Sequence, residues 1–139
     1  MKVSKYMSTK LITAAPQMTV REAFDTMRRH RVRHLPVVDG GTLVGFISDR
    51  DLRRPRWAED VENWTDFYQI DDDTTVRDHM TENLETVHTY DTVLKAVRLL
   101  REQRYGAVPV LDKEEQLVGI LSAYDLLGAL EEMLLEKGK

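Results

Sequence analysis

Apolar residues recur along this chain in a fixed order, and the order occurs twice. Val20, Ala23, Phe24 and Met27 keep the i, i+3, i+4, i+7 spacing of an amphipathic helix, and Val93, Ala96, Val97 and Leu100 keep it again. After each helix comes a short β-branched run broken by a proline, Leu35–Val38 and Val108–Leu111. Proline has no N–H to give to a ladder, so it should sit at the strand start or on an unpaired side. Gly40-Gly41 predicts a tight turn into a second strand, Leu43–Ser48. A closing helix is predicted to start near Asp49, and its counterpart near Ala123. Thr19 and Glu22 are spaced as a capping box for the first helix, whereas Thr92 keeps the cap and Lys95 removes the acid. With short lead-in helices over Val3–Met7 and Val76–Met80, each copy reads strand–helix–strand–strand–helix.

The two patterns superpose at a fixed offset. At 73 residues, His34-Leu35-Pro36-Val37-Val38-Asp39 falls on Ala107-Val108-Pro109-Val110-Leu111-Asp112, and Met7, Thr13, Thr19 and Ala23 fall on Met80, Thr86, Thr92 and Ala96. One extra residue in the second turn raises the offset to 74. Leu43-Val44-Gly45-Phe46-Ile47-Ser48 then falls on Leu117-Val118-Gly119-Ile120-Leu121-Ser122, and Asp51-Leu52 on Asp125-Leu126. The chain is a tandem duplication. A copy of about 55 residues is marginal alone, so the two should share a core.

The 139 residues are one domain's worth, with no Cys to form disulfides or thiolate metal sites. The longest uncharged stretch, Leu11–Val20, falls well short of a membrane span, and no apolar signal segment follows Met1. These features make the expectation soluble and cytoplasmic, without membrane contact. The net charge of −4 hides a segregation: +7 over 1–58, −7 over 59–75 and −4 over 76–139. Boundaries follow: motif 1 over 1–58, an acidic strap over 59–75, and motif 2 over 76–139. The segment between the copies carries Trp57, Trp64, Phe67 and Tyr68, more aromatics than a free linker holds.

Ser48-x-x-Asp51 and Ser122-x-x-Asp125 each follow a glycine-containing strand and open a helix. Two readings stay open from the residues alone. The pair is a common helix cap. It also suits a nucleotide, the hydroxyl donating to a phosphate and the carboxylate accepting from ribose hydroxyls. Arg28-Arg29-His30-Arg31-Val32-Arg33-His34 is a dense basic run, but the acidic total charge and the lack of interleaved aromatics argue against nucleic acid. His30 and His34 span a helix-to-strand boundary, so they do not pair as metal ligands, and Asp71-Asp72-Asp73 reads as a solvated loop. No P-loop or nucleophile elbow is present, and neither Ser48 nor Ser122 has an adjacent base. No enzyme, no catalytic residue and no metal is expected.

The quoted segments, ending in Gly45-Phe46-Ile47-Ser48-Asp49-Arg50-Asp51 and Gly119-Ile120-Leu121-Ser122-Ala123-Tyr124-Asp125, resemble a pair of cystathionine-β-synthase (CBS) motifs. Two such motifs form one Bateman module, and the chain is loosely similar to stand-alone and acetoin-utilisation-type CBS proteins. The resemblance implies an α+β fold, β-α-β-β-α per motif, with the motifs related by pseudo-twofold symmetry. It implies a regulatory module that dimerises and binds adenosine-containing ligands (AMP, ADP, ATP or S-adenosylmethionine) in clefts between the motifs, and that signals to an unknown partner protein. The alternative is a non-binding dimerisation module with vestigial clefts. By the same resemblance Val32 and His34, beside Pro36, flank the base in the first copy, and Tyr105 and Ala107, beside Pro109, do so in the second. Thr13 and Thr86 approach the ligand, and Ser48, Asp51, Ser122 and Asp125 hold ribose and phosphate. Arg33 and Arg50 stand where the second copy has Gly106 and Tyr124, so the two clefts should differ in charge.

Overall fold

The structure is a computed structural model in which residues 1–53 and 74–138 are described. The strap expected over 59–75 lies outside the described residues, apart from Thr74 and Thr75. In chain order the elements are α1 (Val3–Tyr6), α2 (Val20–His30), β1 (His34–Asp39), β2 (Thr42–Ser48) and α3 (Asp49–Arg53). The second half supplies α4 (Val76–His79), β3 (Val87–His88), α5 (Val93–Gln103), β4 (Ala107–Leu111), β5 (Leu117–Ser122) and α6 (Ala123–Lys137). They build two compact units, one of Met1–Leu11 with Glu85–Lys139, the other of Ile12–Leu84. Each lead-in helix therefore belongs to the unit of the other copy: α1 lies with β3, β4 and β5, and α4 lies with β1 and β2.

In the 12–84 unit, β1 and β2 form an antiparallel hairpin closed by Gly40 and Gly41, whose φ values of +57° and +84° explain the two glycines. Side chains alternate across the hairpin, so Leu35, Val37 and Ile47 share one face, and all three are fully buried. They pack with Val20, Ala23 and Met27 of α2. On the other edge of β1, Ala14 donates to the Pro36 carbonyl (2.9 Å) and accepts from Val38 N–H (2.9 Å). Pro36 is the third residue of the strand, not its first, and its nitrogen faces this edge. Having no hydrogen, it cannot extend the ladder back from Ala14. The strand expected before α2 is thus a single bridge. Beyond β2, Thr81 and Phe46 exchange two backbone bonds (3.1 and 2.9 Å).

The other unit repeats this plan. β3 runs parallel to β4, with Val87 opposite Val110, and β4 pairs antiparallel with β5. Both hairpins carry a bulge at the same place, between Val37 and Val38 and between Val110 and Leu111. Ser8 exchanges bonds of 2.8 and 3.0 Å with Ile120, in the role that Thr81 has toward Phe46. Val3, Val87, Ala96, Leu100, Val108, Val110 and Leu121 make the core.

Helix α2 is capped by Thr19, whose hydroxyl oxygen accepts from Glu22 N–H at 3.1 Å, and α5 by Thr92 from Lys95 N–H at 3.1 Å. The return bond expected from Glu22 is absent among the described residues, so both helices start from a single-sided cap. Both end alike as well. Arg31 (φ 55°) and Arg104 (φ 58°) take the left-handed conformation that glycine usually supplies, and Val32 and Tyr105 donate five residues back, to Met27 and Leu100, at 3.0 Å. This reversal sends each chain directly into β1 or β4.

Candidate functional site

The left-handed caps determine what meets the start of each closing helix. Leaving Arg31, the chain passes Val32 and Arg33, and the Arg33 carbonyl accepts the Asp49 N–H at 2.9 Å. In the second copy the Gly106 carbonyl accepts the Ala123 N–H at 2.9 Å. One backbone bond per unit thus joins the strand entry to the Ser–Asp segment.

At that junction the Ser–Asp pairs form complete capping boxes. Ser48 N–H donates to Asp51 Oδ2 (2.9 Å), and Asp51 N–H donates to Ser48 Oγ (3.1 Å). Ser122 and Asp125 repeat both bonds at 2.9 and 3.1 Å. Each pair is half-buried. The capping reading is therefore correct for both copies, yet it leaves chemistry unspent. Only Oδ2 of each carboxylate is used among the described residues, and each serine hydroxyl keeps its own proton to donate.

Strand alternation sorts the other candidates. His34 pairs with Ser48 and Pro36 with Phe46, so these four share the hairpin face opposite the buried Leu35, Val37 and Ile47. Ala107, Pro109, Ile120 and Ser122 take the same places in the second copy. Thr13 adjoins Ala14, which is bonded to Pro36, and Thr86 adjoins Val87, opposite Val110. Thr13, Arg33 and Arg50 are exposed, Val32 and Tyr105 are half-buried, and Pro36, Ala107 and Pro109 are buried. Tyr124 is 82% exposed, so it stands off the junction rather than walling it.

One side chain on this face was not among the sequence candidates. Phe46 stacks on His34, with ring centroids 5.6 Å apart and planes 13° from parallel. The signal was available: residues 46 and 48 must share a face of β2. Burial pushes the His34 pKa down; Asp49 and Asp51 pull it back up and Arg33 opposes them, leaving it below the ordinary value. The imidazole is thus neutral near pH 7. Ala107 and Ile120 replace this aromatic pair in the second copy with smaller, apolar groups.

The basic run divides between helix and strand: Arg28 and Arg29 lie exposed in the last turn of α2, with Arg28 6.0 Å over the Phe24 ring. Among the described residues no cluster of His, Asp and Glu suits a metal ion, and no helix is long and apolar enough to cross a membrane. Asp71-Asp72-Asp73 lies outside the described residues.

A family model for the CBS domain matches residues 3–56 and 76–132. A CBS domain-containing protein of Dictyostelium discoideum is 32% identical over 137 residues, covering 95% of this chain and 92% of that protein. The crystal structure of CBSX2 in complex with AMP is similar at 29% identity and a TM-score of 0.79, over 95% of this chain and 97% of that one. The CBS domain pair of protein MJ0100, in complex with 5′-methylthioadenosine and S-adenosyl-L-methionine, is similar at 27% identity and a TM-score of 0.79, over 96% and 98%. The inosine-5′-monophosphate dehydrogenase of Halobacterium salinarum matches over 84% of this chain but only 21% of that enzyme. The duplicated hairpins, the paired Ser–Asp boxes and these likenesses together make the chain a member of the CBS domain family, an α+β Bateman module carrying two CBS motifs.

Proposed function

We propose that this protein is a regulatory module that binds an adenosine-containing ligand (AMP, ADP, ATP or S-adenosylmethionine) and signals to a partner protein through a change in conformation or dimer geometry. The observation that carries the reading is the duplicated junction: a Ser–Asp box hydrogen-bonded beside a strand entry, with one carboxylate oxygen and one hydroxyl proton left over, in both copies. The leftover Oδ1 of Asp51 or Asp125 accepts from the ribose hydroxyls, and the serine hydroxyl donates to phosphate. The base lies against Val32 and His34 near Pro36 in motif 1 (1–58), and against Tyr105 and Ala107 near Pro109 in motif 2 (76–139). Thr13 and Thr86 close each site. Support comes from the AMP and S-adenosylmethionine complexes of the similar CBS pairs. A ligand acts only through unequal affinity for two states, so the partner reads whichever state the nucleotide favours.

A homodimer in the cytoplasm is part of the proposal. Leu127, Leu130 and Leu134 follow one stripe of α6 and are 61, 48 and 60% exposed, a patch suited to a second copy. Leu130→Glu should halve the mass seen by sedimentation.

A second reading has its own observation: the Ser–Asp boxes are already satisfied as caps, which fits a dimerisation module with vestigial clefts. Thermal unfolding of the chain with each ligand at millimolar concentration separates the two. A ligand at 100 times its Kd adds about 2.7 kcal/mol of stability. A shift with any one supports sensing, and none with all four supports the second reading.

A further inference from the structure

The two Ser–Asp junctions have the same backbone and different charge. In the 12–84 unit the bond from Asp49 N–H to the Arg33 carbonyl brings two arginines, Arg33 and Arg50, to one junction from two different elements. Both side chains are exposed, and neither guanidinium makes an ion pair or hydrogen bond among the described residues. In the other unit the matching bond joins Ala123 to Gly106, and the positions of the two arginines are Gly106 and Tyr124. The asymmetry extends to the hairpin face, where Ala107 and Ile120 of the second copy take the positions that the stacked His34 and Phe46 hold in the first.

An unpaired guanidinium is a planar fork of donors fitted to phosphate oxygens, and charged hydrogen bonds are about twice as strong as neutral ones. The counter-charges Asp49 and Asp51 balance the two arginines in formal charge, whereas the second junction has Asp125 with Gly106 and Tyr124 in the arginines' places. The first junction is thus the less repulsive of the two to a chain of phosphates, and it alone offers guanidinium donors. Gly106 and Ala107 offer room and no charge, so the second junction suits the nucleoside end of a ligand.

We infer that the two sites take different chemical classes: the junction of Arg33, Arg50, Ser48 and Asp51 takes a nucleotide with two or three phosphates, and the junction of Gly106, Ala107, Ser122 and Asp125 takes a nucleoside with one phosphate or none. The inference rests on the adenosine reading above and adds the ligand class of each site.

Calorimetric titration of the full chain tests it, with one site silenced at a time by Asp125→Ala or Asp51→Ala, using ATP, AMP and adenosine. The Asp125→Ala chain should bind ATP at least about tenfold more tightly than adenosine, and the Asp51→Ala chain should show no such preference. Adding Arg33→Ala and Arg50→Ala to the Asp125→Ala chain should weaken ATP roughly 10- to 100-fold and leave adenosine within about twofold. Lys at both positions should restore part of the loss, and melting equal to that of the Asp125→Ala chain shows that the arginine substitutions leave folding intact. Equal losses for ATP and adenosine, or an ATP preference held by the Asp51→Ala chain, overturn the inference while the adenosine reading stands. No heat with ATP, ADP, AMP, adenosine or S-adenosylmethionine in the unmutated chain overturns both.

Discussion

Gly119 and Gly45 occupy matched places, but what lies over them differs, and the difference makes a quantitative test. Neither has a positive φ, so alanine suits the backbone at both, and the cost is purely one of space. A Cβ on Gly119 would stand 2.7 Å from the Ser8 carbonyl oxygen and 3.0 Å from Met7 Sδ. Ordinary contact begins at 3.4 Å, so the Ser8 backbone must retreat by about 0.7 Å. Ser8 is held to Ile120 by bonds of 2.8 and 3.0 Å, which that retreat stretches beyond the ~3.2 Å limit of a good N–H···O bond. Losing them costs about 1 kcal/mol each, and residual overpacking brings the total to about 2–3 kcal/mol. A Cβ on Gly45 would meet Met80 at 2.5 Å from Sδ and 3.0 Å from Cγ, a flexible thioether that can swing aside. That substitution should cost about 1 kcal/mol or less. Scanning calorimetry should show Gly119→Ala melting roughly 6–12 °C lower and Gly45→Ala within about 4 °C of the unmutated chain. A Gly119→Ala chain as stable as the parent, or a larger loss from Gly45→Ala, would refute the placement of the lead-in segments.

Two further outcomes follow from the same geometry. A fragment of residues 76–139 lacks Met1–Leu11, which supplies the fully buried Val3 and the Ser8 bridge to its unit, so it should give a collapsed, poorly dispersed amide NMR spectrum; a well-dispersed one contradicts the exchanged units. Burial holds the His34 pKa below its ordinary 6.5, so the unfolded chain takes up that proton first as pH falls. Its contribution is complete above about pH 6.5 and is lost as pH falls through the lower folded value; urea midpoints at pH 7.5 and 5.5 should therefore differ less in His34→Gln than in the parent.

Much of this fold was legible because the chain states it twice. The 73-residue offset carried the hairpins and the caps at Thr19 and Thr92, since each rests on local spacing. The exchange of lead-in helices was not legible. Val3–Tyr6 and Val76–His79 are single turns with no periodicity to reveal which sheet covers them, and long-range backbone bonds decide it, those of Val3, Ser4 and Ser8 for one and of Val76, Arg77 and Thr81 for the other. The left-handed caps at Arg31 and Arg104 were missed because no Gly or Asn marks them. The Ser–Asp pairs were seen, with the cap and the nucleotide as rival uses. The geometry makes these uses compatible, because a carboxylate has two oxygens and the cap takes one.

The central claim, that the duplicated Ser–Asp junctions are adenosine sites, is tested most directly by titrating AMP into the unmutated chain and into the Asp51→Ala/Asp125→Ala double variant. Losing the carboxylates as caps should cost about 1 kcal/mol of stability at each helix, and losing their charged hydrogen bonds to ribose should weaken binding by about 1.5–3 kcal/mol per site. The account predicts measurable heat for the parent and roughly 10- to 100-fold weaker binding for a variant that still melts cooperatively. AMP bound equally well by the folded double variant would contradict it.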